Sequence, residues 1–395
     1  MSEQNIKKMI GEVFEEIANG IESGSFGKKV KVGLTAFGSE LGVENLVKGA
    51  EKAQAADASS EVVIITVGEK VDTNLEQYNV ATEDEGYKKM EELLDSGEVS
   101  AFVTMHYNFP IGVSTVGRVI TPAHGEEMTI ATTTGTSSPH RVEAMVLNAI
   151  AGVITAKAMG TAEPTIGILN VDGARQVERA LKELSSNGYQ LHFAESHRSD
   201  GGCVMRGNDL LQGVPDVMVT DTLTGNILMK MFSSFQTGGG FEAMGYGYGP
   251  GIGKGYDRTI LIVSRASGYP VVANALQYAA KAIRGGLKDL VKSEYEKAEH
   301  AGLNKILDGF KAEANKSSAP KAEVKMPEKE VVDGSIAGID ILELEDAVQA
   351  LWAIGIYAES GMGCTGPIVM VNHDKLEAAI KELAKAGYVA DESAC

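Results

Sequence analysis

Hydrophobic positions along this chain change period again and again, and each change marks an element. Ile6, Met9, Ile10, Val13, Phe14 and Ile17 recur at helical spacing within Met1–Ile21, which predicts an amphipathic helix. Lys29–Ala36 then predicts a first strand, followed by a helix over Glu44–Ala55. Val62–Val67 is short, apolar and β-branched, the pattern of a strand buried on both faces. The alternation continues: helix Gly86–Leu94, strand Ala101–Thr104, strand Met128–Thr132, helix Val142–Met159, strand Thr165–Leu169, helix Arg175–Asn187, strand Val217–Thr220. This rhythm predicts a mostly parallel sheet with helices on both faces. The loops after its strands are the expected places for ligands.

The pattern breaks near Lys311. Ala, Lys, Glu, Ser and Pro dominate as far as Glu330, predicting a linker or solvated extension. A small unit follows. Leu344, Val348, Leu351, Trp352 and Gly355 mark one helix, Ile368–Val371 a strand, and Leu376, Ala379, Ile380 and Leu383 a last helix, with Glu359–Pro367 read as a loop. The expected organisation is a helix over 1–28, a main domain over 29–310, a linker over 311–335 and a C-terminal unit over 336–395.

With 395 residues, the chain can form two domains, or one large α/β domain with an appendage. A net charge of -18 argues against nucleic acid and anionic membranes as partners. It also means that an anionic substrate needs local positive potential, from backbone amides or a few basic residues. No apolar stretch has signal-peptide or membrane-spanning form. The three cysteines, Cys203, Cys364 and Cys395, show neither metal-ligand spacing nor a disulfide framework. The expected setting is a reducing cytoplasm, with no metal site.

Ser360-Gly361-Met362-Gly363-Cys364-Thr365-Gly366-Pro367 is the most telling segment. Glycines let a substrate approach the backbone. Successive amides of Gly363, Thr365 and Gly366 can bind an anion, favour the thiolate of Cys364 and hold an oxyanion. A thiol so placed can accept an acyl group. The alternative is a structural turn with a small buried cysteine. His373 lies beyond the strand Ile368–Val371, about 3.3 Å per residue away, and is not an obvious base for it.

Three more segments follow strands. Asp221-Thr222-Leu223-Thr224-Gly225-Asn226 has the layout of an anion site at a helix N-terminus, or of a simple Asp cap. Thr132–Arg141, with Thr133, Thr134 and Ser138, is rich in hydroxyls and carries one arginine; Ser138 as a helix cap accounts for part of it. His106 and Asn108 sit just past Thr104, where a histidine can serve acid–base chemistry or be an ordinary surface residue. Gly245–Gly255 is not a P-loop, because Tyr248 and Gly255 occupy its required positions. It reads as a lid or substrate-facing loop, with Lys254 as a possible phosphate contact.

Pro164–Asn170 and Gly213–Ile227, within Val30–Ile283, resemble the PlsX-type phosphate acyltransferase family, whose members carry an Asp-Gly-Phe-Thr-Gly-Asn turn. This chain has Thr222 and Leu223 in that turn, and His106–Pro110 in place of the family's Gly-Asn-Thr-Gly turn, so a fatty acyl-carrier substrate does not carry over. The resemblance implies an α/β/α sandwich of the isopropylmalate-dehydrogenase-like group, without nicotinamide chemistry, bearing a small C-terminal α/β cysteine unit. Plain PlsX-type proteins lack that unit. Tail included, the chain resembles the alpha subunits of component C in glycine/sarcosine/betaine reductase complexes. This second resemblance implies release of a protein-bound acetyl group as acetyl phosphate, with Cys364 as the acetyl-carrying thiol. It also implies a ketoacyl-synthase-like beta subunit and an upstream selenoprotein, component A. No bound cofactor is expected; inorganic phosphate is the co-substrate. The rival readings are a coenzyme A-dependent phosphate acetyltransferase and a noncatalytic scaffold.

Overall fold

In a computed structural model that describes residues 29–199, 201–317, 324–340, 343–363 and 366–389, with Gly11, Phe14, Ile17 and Ala18, the apolar runs become strands sealed on both faces. β1 (Val30–Thr35), β2 (Ser60–Val67), β3 (Glu76–Val80) and β4 (Ala101–Thr104) run parallel in the order β3-β2-β1-β4. Val32, Leu34, Ile64 and Val103 enter one core, and Val63, Ile65 and Phe102 the other. That alternation is the period of a strand covered twice. Helix α1 (Val43–Ala56) packs on the first face through Leu46 and Ala50. Helix α2 (Glu83–Asp95) packs on the second through Met90 and Leu93.

The chain then builds β5 (Val113–Ile120), β6 (Glu127–Thr136), α3 (Arg141–Ala158), β7 (Thr165–Leu169), α4 (Ala174–Ser186), β8 (His192–Phe193), β9 (Val204–Met205), α5 (Gly207–Gln212), β10 (Val217–Val219) and α6 (Thr222–Ser234). β11 (Gly249–Ile252), β12 (Ile260–Ile262), α7 (Tyr269–Arg284), α8 (Leu287–His300) and α9 (Leu303–Ser317) complete the body. Among the described residues one twelve-stranded sheet runs β3-β2-β1-β4-β12-β11-β5-β6-β10-β7-β8, with β9 beside β7. Helices cover both faces, so the molecule is the expected α/β/α sandwich.

Two antiparallel steps, β12–β11 and β11–β5, and a third, β5–β6, make the sheet mixed. They reverse strand direction between its halves. The C-terminal ends of β1, β4 and β12 therefore lie at one end of the sheet, and those of β6, β7 and β10 at the other.

Several expectations change. Gly249–Ile252 is a fully buried central strand, so the lid reading of Gly245–Gly255 fails there. Gly249 has φ 78°, and a Cβ on it would lie 1.7 Å from the Val116 oxygen; glycine lets the two backbones meet. Helix α9 continues to Ser317, past the expected linker start at 311, because its apolar residues seat it on α4 and α8. Of the N-terminal helix, Gly11, Phe14, Ile17 and Ala18 are helical, and the rest of 1–28 lies outside the described residues.

The C-terminal unit has its own core. β13 (Gly334–Ala337), α10 (Leu344–Ala353), β14 (Ala358–Gly363), β15 (Gly366–Val371) and α11 (Leu376–Lys385) enclose Ile336, Val348, Leu351, Val369 and Leu383. Much of the loop expected over Glu359–Pro367 is the strand β14, antiparallel to β15. Its Ser and Gly residues gave no strand signal; backbone pairing with β15 makes it one. Ion pairs Lys329–Glu359 and Lys375–Glu330, and the His373 amide donating to Asp333, bind residues 329–333 to this unit, ahead of the expected boundary at 336.

Candidate functional site

Two hydroxyl-rich turns meet at the C-terminal ends of β6 and β10. In β6, the pair Thr115↔Thr134 is followed by Val116↔Ala131, which leaves Thr132 and Thr133 out of the backbone register with β5. Such a bulge re-aims the strand end. Thr133 is buried; its hydroxyl donates to the Tyr248 carbonyl at 2.8 Å and lies 2.7 Å from the Thr115 hydroxyl. Further on, Ser137 donates to Asn148 Oδ1 at 2.7 Å, and Asn148 Nδ2 donates to the Thr220 carbonyl at 3.1 Å. Asn148, deep in α3, thereby ties the ends of β6 and β10 together.

The β10 turn is fastened just as fully. Asp221 caps α6, accepting from the Thr224 amide at 3.1 Å and the Thr224 hydroxyl at 2.7 Å. Thr222 donates to the Gly135 carbonyl, and Asn226 to the Thr133 carbonyl, each at 3.1 Å. A Cβ on Gly225 would lie 1.8 Å from the Thr132 oxygen, so glycine alone lets α6 approach β6 this closely. Ser138 accepts from the His140 amide at 3.1 Å and donates to Glu143 at 2.9 Å, while His140, not Ser138, occupies the cap position of α3 and makes no side-chain cap bond there.

What remains for a ligand is a short set of groups. Arg141, half exposed at the start of α3, reaches Asp221 at 3.1 Å and Asp172 at 3.4 Å. Burial works against ionisation of Asp221, but the Thr224 hydroxyl and amide and the Arg141 guanidinium outweigh it and hold the carboxyl below its ordinary range. Asp221 is thus an anion that orients Arg141. The hydroxyl of Thr134 makes no hydrogen bond among the described residues, and the Thr220 hydroxyl, wholly buried against α6, has none either. A guanidinium, the Thr134 hydroxyl and a helix N-terminus can bind an oxyanion.

The structure brings Thr133, Thr134, Ser138, Asp221, Thr222, Thr224, Gly225 and Asn226 together, and leaves three candidates apart. His106 is exposed at the opposite sheet end, where its carbonyl accepts from Thr104 at 3.3 Å. Asn108 is exposed on the same segment. Lys254 lies in an ion pair with Glu299. Cys364, Thr365 and Cys395 lie outside the described residues. Gly363 and Gly366 are described as the paired strand residues that close the hairpin. Cys203 is buried, donates to Glu178 at 3.4 Å, and burial followed by the Glu178 charge pushes its thiol up to about 12; it is a structural thiol.

Sequence reasoning noted Arg141 without giving it a role and passed over Asn148 and Thr220. The first was visible as the single cation of its loop, whereas the others needed the pairing of β6 with β10. It also passed over Arg265, exposed just past β12 and without an ion pair among the described residues, on a turn where its carbonyl accepts from the Glu40 amide at 2.9 Å. A cavity of about 230 Å³, lined by Leu94, Val99, Ile283, Leu287, Lys288 and Asp289, touches none of these groups. Among the described residues no group of three or more His, Cys, Asp or Glu could hold a metal ion, and no helix is long and apolar enough to cross a membrane.

A family model described as "Fatty acid synthesis protein" matches residues 30–370, which takes in both turns and most of the C-terminal unit. The chain is a member of this PlsX-like family. It is 64% identical over 386 residues to the glycine/sarcosine/betaine reductase complex component C subunit alpha of Peptoclostridium acidaminophilum, covering 98% of this chain and 100% of that protein. A phosphate acyltransferase of Fervidobacterium nodosum is 30% identical over 146 residues, 36% of this chain and 42% of that one. Among solved structures, a branched-chain phosphotransacylase from Enterococcus faecalis covers 64% of this chain and 99% of its own, with 18% identity and a TM-score of 0.46.

Proposed function

We propose that this PlsX-like protein is the acyl-releasing subunit of an amino-acid reductase complex, passing an acetyl group from a thioester on Cys364 to inorganic phosphate. The observation that carries the reading is the extent of the match to the component C alpha subunit: 386 residues take in the Cys364 unit as well as the body. Phosphate acyltransferase relatives align with shorter stretches, so they support phosphate-dependent acyl transfer without speaking to the tail.

The chemistry follows from the groups present. Hydrogen phosphate binds at Arg141, beside the Thr134 hydroxyl and the α6 N-terminus. One phosphate oxygen attacks the thioester carbonyl; the C–O bond forms, the C–S bond breaks, and the phosphate proton passes to the departing Cys364 thiolate. The products are acetyl phosphate and the free thiol. Gly363 and Gly366 pair with each other across the hairpin, so of the expected donors the Thr365 amide is the one left to hold the oxyanion during attack. Thiolate leaves readily, so positioning and charge account for most of the acceleration. No bound cofactor enters. The partners proposed are a ketoacyl-synthase-like beta subunit and a selenoprotein donor.

Removing the cation tests the phosphate half of this reading. Arg141→Gln should raise KM for phosphate about tenfold or more, the loss of one charge-assisted contact, with acetyl phosphate measured as its hydroxamate. An unchanged KM would move the phosphate site elsewhere, with Arg265 at the other sheet end as the next cation to replace.

A further inference from the structure

We propose that Glu343, received by Arg179 and Gln176, docks the C-terminal unit beside the Asp221 turn and so positions it for acyl release; the proposal rests on the transfer reading above. Glu343 belongs firmly to that unit. Its amide donates to the Asp340 carbonyl at 3.0 Å, and the helix it precedes buries Leu344, Ala347, Val348 and Leu351 in the unit's own core. On the body, α4 turns Val177, Ala180, Leu181 and Leu184 into the main core, leaving Gln176 and Arg179 on its outer side. Arg179 Nη2 donates to both Glu343 oxygens at 2.8 Å, and Gln176 Nε2 adds a third bond at 2.8 Å.

The place of this contact matters more than its strength. Helix α4 starts two residues after Asp172, the residue that shares Arg141 with Asp221. At about 1.5 Å per residue, Arg179 lies only about 10 Å along the helix from that end. β14 has six residues, so at about 3.3 Å each the hairpin that leads to Cys364 is about 20 Å long. Docking at Arg179 therefore sets the unit within one hairpin length of the proposed phosphate site.

The dock is built to release. Arg179 is 42% exposed against 16% for Glu343, and ion pairs partly open to water are weak and fall with salt. Residues 318–328 join α9 to the first residues bound to the unit. A chain of eleven residues reaches at most about 36–40 Å, which bounds how far from α9 the unit can lie. A tether with a weak dock keeps a carrier at high local concentration near its site without fixing it there. Such a carrier can visit a partner to be loaded and come back to phosphate to be unloaded.

Charge reversal and swap in the full chain, assembled with its partner subunit, test this. Glu343→Arg and Arg179→Glu should each slow acetyl phosphate release from the protein-bound thioester about tenfold at saturating phosphate, by lost local concentration. KM for phosphate should stay unchanged, and the double variant should recover most of the rate. Added salt should slow the wild type and the double variant and leave the single variants unslowed or faster, because it screens their like charges. Full rates in both folded single variants would overturn the docking role, as would a double variant no faster than either. Cys364→Ala, run alongside, separates the two readings. Full-rate single variants with a dead Cys364→Ala would sink the dock and keep the thioester. A fully active Cys364→Ala would sink both.

Discussion

Arg141 and Asp221 carry the residue-scale account, because a carboxylate beside a phosphate site is otherwise a liability. Asp221 spends its charge on Arg141 and on the cap of α6, and its carboxyl stays below the ordinary range as a result. A depressed carboxyl stabilises the fold above its unfolded-state pKa and loses that contribution as pH falls through its lower folded value. Wild type should therefore lose stability through the acid range more steeply than Asp221→Asn, as read by unfolding midpoints across pH; parallel curves would remove Asp221 from the ionised network. Cys203 sits at the other extreme. With its thiol raised to about 12 by burial, it should resist iodoacetamide in the native protein at neutral pH. Cys203→Ala should keep full turnover, and mass mapping that found Cys203 labelled first would contradict the structural role given to it.

At the scale of elements, close approach decides which segments can meet. Helix α6 reaches β6 because Gly225 has no side chain, and a Cβ there would collide with the Thr132 carbonyl. Gly225→Ala should cost about 1–3 kcal/mol, as overpacked sites do, and should disorder the Thr133–Ser138 turn, lowering both the urea midpoint and phosphate affinity. An undisturbed midpoint would mean that α6 can move away freely. The same physics explains what the sequence could announce. β1, β2, β4, β7 and β10 stood out because both faces are apolar, and α1, α2 and α4 because one stripe is, whereas α3 is buried all round from Asn148 to Ala156. β11, made of Gly-Pro-Gly-Ile, and β14, made largely of small residues, had no period to detect; neighbouring backbones made them strands. The turns of the candidate site were legible as polar runs after strands. That Thr133, Asp221, Thr222, Thr224 and Asn226 face inward as fasteners was not, because it depends on which strands lie side by side.

At the scale of the whole molecule, the proposed mechanism asks an acidic protein to bind an anion at Arg141 and to bring the acyl group to it on a separate folded unit. The reversal of strand direction between the two halves puts Arg141 and Arg265 at opposite ends of the sheet. Docking through Glu343 lies on the Arg141 side, on the helix that leads from Asp172. The proposed function turns on Cys364 carrying the acyl group that phosphate removes. The most direct test compares acetyl phosphate formation by wild type and Cys364→Ala, each folded and assembled with its partner subunit and supplied with phosphate and the acyl donor. Cys364→Ala should assemble normally and make no acetyl phosphate above background. Undiminished turnover in that variant would contradict the proposed function, placing the chemistry in the body or the partner and leaving the tail as an assembly element.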